Sequence, residues 1–252
     1  DFKEVDVDKF KNLKESSLAF IEDDLEIKAK ELLENNSKIN KIYIQEGFND
    51  QNIITMLENS KIEYIIVSKR EIDRLAPGVN QGIILDIPDY SYKSLENVLS
   101  KKPNFIVLLD HIEDPHNLGA IIRTCEAAGV DAIIIPKDRQ VQVNATVMKT
   151  SVGTINNMDI VQVTNISNTI RELKKEGFWI VGTALNNSVD YRSVDYDMKT
   201  CLIIGNEGSG MSNLVQKNCD YLVKIPMYGV TNSLNASVAA GIMIYEVIRN
   251  RK

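Results

Sequence analysis

Three short polar segments concentrate the side chains able to do chemistry in this 252-residue chain. The first is Asp110-His111-Ile112-Glu113-Asp114-Pro115-His116-Asn117-Leu118-Gly119-Ala120, continuing to Arg123. Asn117 or a close neighbour can cap the helix that follows, and Asn117 can otherwise orient a substrate. Arg123 stands among apolar helical neighbours and calls for an anionic partner, either a phosphate or a buried carboxylate. Both histidines of the chain lie here, yet no third ligand at metal-binding spacing accompanies them, so no metal site is expected. The second segment, Gly205-Asn206-Glu207-Gly208-Ser209-Gly210-Met211, is a glycine-rich turn whose backbone amides can approach a ligand closely. It lacks the spacing of a dinucleotide fingerprint or a P-loop. Glu207 within it would repel phosphate and suits a hydroxyl or amine partner. The third segment, Ile225 to Asn235, carries Met227, Ser233 and Leu234 and leads into the small residues Ala236-Ser237-Val238-Ala239-Ala240-Gly241, with Asn235 as a candidate helix cap.

The elements that must carry these segments follow from hydrophobic periodicity. Apolar runs predict strands at Phe105 to Leu109, Ala132 to Pro136, Trp179 to Thr183, Cys201 to Gly205 and Leu222 to Ile225. Helices are expected at Leu118 to Ala128, Ile166 to Glu176, Ser212 to Asn218 and Asn235 to Arg249. Continuous apolar strands alternating with helices indicate a mostly parallel sheet with helices on both faces. In such sheets ligands sit at the carboxyl ends of strands, where all three segments fall. Before Pro88 the reading is a smaller α/β domain. It has a charged helical stretch over the first 35 or so residues, through Leu25, Ile27, Ala29, Leu32 and Leu33. Strands follow at Lys41 to Gln45, Glu63 to Ser68 and Gln81 to Ile87, with helices at Asn52 to Asn59 and Arg70 to Leu75. Pro88 to Pro103 reads as a hinge. The expected organisation is therefore an N-terminal domain over residues 1–88, a linker over 89–103 and a catalytic domain over 104–252.

Composition narrows the functional classes. With 29 Lys and Arg against 35 Asp and Glu the net charge is −6, which by itself disfavours nucleic acid. The excess acid is regional: 13 basic against 20 acidic residues in 1–100 (net −7), and 16 against 15 thereafter (net +1). Lys137, Arg139, Lys149 and Arg123 can thus still build a local positive surface. No apolar run approaches the length of a membrane span, and no membrane role is expected. Cys125, Cys201 and Cys219, odd in number and without C-x-x-C spacing, suit a reducing cytoplasm. A start at Asp1 without a basic-then-apolar leader suggests a trimmed N-terminus and no signal peptide.

At Asn117, Gly119, Arg123, Gly205, Glu207, Gly208, Gly210, Pro226, Ser233, Leu234 and Asn235 the chain resembles the SpoU, or TrmH-like, branch of the SPOUT methyltransferases, over about residues 104–250. Val79-Asn80-Gln81-Gly82-Ile83-Ile84 is similar to the family's small ribosomal-protein-like α/β substrate-binding domain, with Asn80 where members often have His. Ile135-Pro136-Lys137-Asp138-Arg139, Asn144-Ala145-Thr146 and Ser151-Val152-Gly153 look most like the 23S rRNA guanosine-2'-O-methyltransferases. The resemblance implies a C-terminal α/β knot, a deep trefoil through which the last helix is threaded, and a homodimer. It implies S-adenosylmethionine as cofactor and a structured RNA as substrate, rRNA or alternatively tRNA. Cofactor contacts carry over to Gly205, Ile225 and Leu234, with Thr183, Glu207 and Met227 nearby. The implied reaction is in-line attack of a ribose 2'-oxygen on a sulfonium methyl. Arg123 is either the proton acceptor or a clamp on the adjoining phosphate, with proton removal then falling to that phosphate, water or Glu207. Guanidinium groups in general hold their proton up to about pH 12.5–13.8 and lack a free acceptor, which weighs against the first role. Asn117, Ser233 and Asn235 orient the ribose and the loops. Two rivals stand beside this reading: a catalytically silent RNA-binding module, and a different nucleotide-binding α/β enzyme. The acidic balance implies shape-dependent RNA binding through few phosphates.

Overall fold

The computed structural model describes residues 18–20, 39–60, 63–75, 82–86, 90–151 and 153–251. By contact they divide into two units, one running to Tyr90 and including Val143–Gly153, the other made of Ser91–Gln142 and the chain from Thr154 onward.

In the first unit the short run Leu18–Phe20 forms β1 and β-branched runs give β2 (Lys41–Gln45), β3 (Tyr64–Val67) and β4 (Ile83–Asp86), in the order β1-β4-β2-β3. β4 runs antiparallel to β1 and β2, and β2 and β3 are parallel. Helices α1 (Gln51–Ser60) and α2 (Lys69–Leu75) lie where periodicity put them. The N-terminal helical reading needs correction at Leu18–Phe20, which is extended and paired with Ile84–Asp86. The other positions that suggested it, Leu25 to Leu33, lie outside the described residues, as does Asn80.

The second unit is built on seven strands in the order β7-β6-β5-β10-β8-β11-β9, every neighbouring pair parallel. They are β5 (Phe105–Asp110), β6 (Ala132–Pro136), β7 (Ile160–Val163), β8 (Trp179–Thr183), β9 (Val189–Asp190), β10 (Thr200–Gly205) and β11 (Tyr221–Lys224). β5 and β6 are buried at every position, as continuous apolar runs require. Side chains alternate between the two faces. Ile106, Leu108, Ala132, Ile134, Ile180, Cys201 and Ile203 pack with Val98, Ile166, Ile170, Leu173 and Val215. These last belong to α3 (Leu95–Ser100), α6 (Ile166–Lys175) and α7 (Asn213–Asn218). The opposite face is covered by α4 (Pro115–Ala127) and α8 (Ala236–Asn250), which pack on one another and on β6 and β10. α5 (Ala145–Thr150), in the Val143–Gly153 segment of the first unit, completes the α-helices of the described residues, beside short 3-10 helices at Thr154–Asn157 and Tyr191–Ser193.

Further departures from the sequence reading include two segments of the second unit, and α5 and β9 were likewise not anticipated. The hinge between Pro88 and Pro103 contains α3, capped by Ser94, with Leu95, Val98 and Leu99 turned to the core. The flanking prolines conceal that helical spacing. β7 escaped notice because only two of its four side chains are fully buried and its run is short. No helix among the described residues is long and apolar enough to cross a membrane.

Candidate active site

Because every strand of the second sheet runs the same way, the connections that leave their carboxyl ends meet at one edge. β5 ends in Asp110, a fully buried residue. Its carboxylate accepts the Ser212 amide at 2.9 Å and contacts His111 Nδ1 at 2.5 Å. His111 holds a left-handed φ of 66°, uncommon outside glycine, and its carbonyl accepts Asn206 Nδ2 at 2.8 Å. Helix α4 then starts at Asp114, whose side chain accepts the His116 amide at 2.8 Å, with Pro115 in the first helical position. Capping by Asp114 corrects the reading of Asn117 as a cap. Asn117 lies inside the first turn, 5% exposed, and its side-chain amide donates to Glu207 Oε1.

The glycine segment after β10 is a closed turn. Asn206 and Gly210 exchange both backbone hydrogen bonds, at 2.9 and 3.2 Å. Asn206 Oδ1 accepts the amides of Gly208 at 2.8 Å and Ser209 at 3.2 Å. A Cβ on Gly205 would lie 2.5 Å from Gly210 C and Met211 N, so this position admits only glycine without moving backbone. Gly210 supplies the positive φ, 64°, that closes the turn. The result fixes Glu207 at the tip.

Asn235 is the cap of α8, as its sequence position suggested. Its Oδ1 accepts the amides of Ser237 at 3.0 Å and Val238 at 3.3 Å. Its Nδ2 donates to Asn117 Oδ1 at 3.0 Å and to Glu207 Oε1 at 3.3 Å, and the Ala236 amide reaches the same oxygen at 3.4 Å. Asn117, Glu207 and Asn235, 118 residues apart at the extremes, therefore form one closed hydrogen-bonded triangle. The Glu207 carboxylate sits at the amino end of a 15-residue helix, where the helix dipole favours a negative charge.

Beside the triangle opens a cavity of about 280 Å³. It is walled by the ends of β8, β10 and β11 and the connections beyond them, Thr183 to Asn186, Ile204 to Met211, Val223 to Ile225, Met227 and Asn232 to Leu234. All six residues expected at a cofactor, Thr183, Gly205, Glu207, Ile225, Met227 and Leu234, line it, and so does Ser233. Ile204, Met211, Val223, Ile225, Leu234 and Ala239 give it an apolar lining, and Asn206, Glu207, Asn232 and Ser233 give it polar edges. It suits a small organic molecule with a flat apolar part and a few hydrogen-bonding groups.

Arg123 is exposed on α4, six residues beyond Asn117, and neither lines the cavity nor joins the triangle. It has no hydrogen bond or ion pair among the described residues, so the alternative of a buried ion pair is corrected. Sequence reasoning passed over Asp110 and Asn206, the two side chains that tie the first segment to the second. The signal for Asp110 was a lone acid closing an otherwise apolar strand. No group of three or more His, Cys, Asp or Glu side chains placed to hold a metal occurs among the described residues. The Cys125 and Cys201 thiols are pushed well up by burial, and burial raises Cys219 to about 12.

Residues 104–245 match the SpoU rRNA methylase family. Residues 30–93 match a family described as RNA 2'-O ribose methyltransferase substrate binding. A Staphylococcus epidermidis protein, named within the TrmH family of tRNA/rRNA methyltransferases, is 47% identical over 230 residues, 88% of this chain and 92% of the relative. The AdoMet-bound rRNA methyltransferase of Sinorhizobium meliloti shares the architecture with a TM-score of 0.72 at 27% identity, over 93% of this chain and 87% of that one. The SpoU methyltransferase AviRb of Streptomyces viridochromogenes, crystallised with AdoMet, has the same fold, with a TM-score of 0.72 at 24% identity over 92% of this chain and 89% of that one. With more than half of its length matched by the family and a close full-length relative, the chain belongs to the SpoU rRNA methylase family.

Proposed function

We propose that the protein transfers a methyl group from S-adenosylmethionine to a ribose 2'-hydroxyl of RNA, with a guanosine of 23S rRNA as the target. The observation that carries this reading is the Asn117–Glu207–Asn235 triangle set against a cavity floored by Gly205. The cavity fits the cofactor: apolar side chains suit an adenine, and the bare Gly205 backbone, which a Cβ would fill, permits close main-chain approach. Gly205, Ile225 and Leu234 would hold it, with Thr183, Glu207 and Met227 alongside. When bound, S-adenosylmethionine supplies an electrophilic sulfonium methyl.

The side chains then have separable tasks. Asn117 and Asn235 each donate a side-chain amide hydrogen to Glu207, Asn235 donates another to Asn117, and with Ser233 they orient the ribose, a contribution worth several kcal/mol in aligned reactions. Arg123, exposed and without a partner among the described residues, is assigned to the phosphate beside the target ribose, and proton removal falls to that phosphate, water or Glu207. Its alternative assignment is proton acceptor. An Arg123→Lys variant tests the clamp: it should keep measurable transfer, and complete loss with intact cofactor and RNA binding would contradict it.

We read residues 1–88 as the RNA-selecting part and 104–252 as the catalytic part of a cytoplasmic homodimer, with 89–103 as a linker that contains the core-packed helix α3. The last helix, α8, is read as the threaded portion of a trefoil knot. The name of the Staphylococcus epidermidis relative includes tRNA, and tRNA is the second reading of the substrate. The intact set Asn117, Arg123, Glu207 and Asn235 argues against a silent RNA-binding homologue. Mapping 2'-O-methyl groups in total RNA of a deletion strain decides the substrate: one missing guanosine methyl in 23S rRNA is expected, and an unchanged rRNA pattern would reject that target.

A further inference from the structure

The turn that leaves the carboxyl end of β6, Lys137 to Gln142, is unusually well fastened at its base. The Lys137 amide donates to the Val163 carbonyl at 2.8 Å, and the Val141 amide to that of Ile112 at 2.9 Å. Gln140, 8% exposed, accepts the Ile112 amide at 2.7 Å. Gln142 Nε2 reaches the carbonyls of Pro136, Lys137 and Gln140 at 3.1, 3.2 and 3.0 Å, while its Oε1 accepts from Tyr92 and Gln162. Two glutamines thus pin the turn to the Asp110–Asp114 connection and to neighbouring strand ends.

The tip, by contrast, is turned to solvent. Lys137, Asp138 and Arg139 are exposed, and Arg139 sits at a φ of 52°, a left-handed conformation that non-glycine residues rarely adopt. Neither cation has an ion pair or hydrogen bond among the described residues that would explain holding it so. Rigid backbone carrying two unsatisfied cations, at the same sheet edge as the triangle, matches an external anion. We propose that Lys137 and Arg139 form a phosphodiester-binding turn that grips the RNA backbone. The inference rests on RNA being the substrate. Asp138 between the cations and the exposed Glu113 and Asp114 on the adjoining connection oppose broad anion adhesion, and Asp114 is engaged in capping α4. The grip is therefore local, on two phosphates, Arg139 by its planar fork and Lys137 as a point charge.

The test is filter binding of radiolabelled, protein-free 23S rRNA to the full chain over a series of KCl concentrations. Each phosphate contact contributes roughly 0.7–0.9 to the slope of log affinity against log salt, so Lys137→Ala/Arg139→Ala should be shallower than wild type by about 1.4–1.8. Lys137→Arg/Arg139→Lys should restore the slope, and Asp138→Asn should tighten binding at low salt. Binding heat with S-adenosylmethionine should stay at the wild-type value in all three. A wild-type slope in the alanine variant would overturn the proposal, as would a wild-type chain that does not bind 23S rRNA. The two readings fail separately: binding with the expected slopes but no methyl transfer would sink the transferase reading, whereas transfer with unchanged slopes would sink the phosphate turn alone.

Discussion

Replacing Gly205 by alanine should disable the site with one methyl group. The added Cβ would lie 2.5 Å from Gly210 C and Met211 N and 2.9 Å from Gly210 O, all backbone atoms. Ordinary carbon contacts are about 3.5–4.0 Å, so the far side of the turn must retreat by roughly 1 Å. The two backbone hydrogen bonds between Asn206 and Gly210 close that turn and must lengthen with it. Glu207 lies between them and moves out of line with Asn117 and Asn235. Overpacking of this kind costs about 1–3 kcal/mol of stability. Misplacement by about 1 Å costs catalysis on the order of 10²-fold. Gly182 provides the internal control: its nearest contacts, at 2.5–2.9 Å, are side-chain atoms of Met211 and Cys219, and the flexible Met211 can swing aside. Calorimetry with S-adenosylmethionine, radiolabelled methyl transfer to RNA and thermal unfolding together measure these effects. Gly205→Ala should lose both cofactor affinity and kcat, and Gly182→Ala should lose less of each. A Gly205→Ala protein with wild-type affinity and rate would refute the argument that this turn forms the cofactor floor and aims Glu207.

Asn235→Asp keeps the oxygen that caps α8, so its unfolding temperature should stay near wild type, but it has no proton for Asn117 or Glu207 and sets a second carboxylate against the first. Its methyl transfer should fall on the order of 10²-fold, and an unchanged rate would remove the triangle from the mechanism. Asp110→Asn can still accept the Ser212 amide, whereas Asp110→Val strands that donor and should cost about 1–3 kcal/mol in urea unfolding; equal losses would show that only the volume of Asp110 matters. The raised thiols make stability fall in alkali. The unfolded chain releases its thiol protons near pH 8.5 while the folded chain retains them, so unfolding becomes easier by up to about 1.4 kcal/mol per pH unit per thiol above that value, for Cys219 as far as its folded value of about 12. Urea midpoints measured from pH 8 to 10 should decline, and less steeply in Cys201→Ser.

The second unit was legible in sequence because its central strands β5, β6 and β10 are buried on both faces and so read as unbroken apolar runs, each ending at a polar connection. The segments carrying Glu207, Met227 and Leu234 could be grouped before any coordinates because parallel strands must deliver their ends to one edge, whereas Thr183 joined them only through the family resemblance. The cap of α8 was legible at Asn235. That of α4 was misread: Asp114 and Asn117 are both good caps, and only the position of Pro115 in the first turn separates them. α3 was hidden by flanking prolines, and β7 by its half-buried side chains. The Asp110–Ser212 and Asn206–His111 ties were beyond reach, since they join residues about a hundred positions apart through single hydrogen bonds that leave no periodic trace.

Digestion of RNA labelled from radioactive S-adenosylmethionine by the purified protein tests the central claim most directly. A methyl on the ribose 2'-oxygen blocks alkaline cleavage of the adjoining phosphodiester, so the account predicts that all label is recovered in alkali-resistant dinucleotides carrying a 2'-O-methylnucleoside, and that Glu207→Ala abolishes it. Label recovered on a base in alkali-labile mononucleotides, or no RNA-bound label from a protein that binds the cofactor, would contradict it.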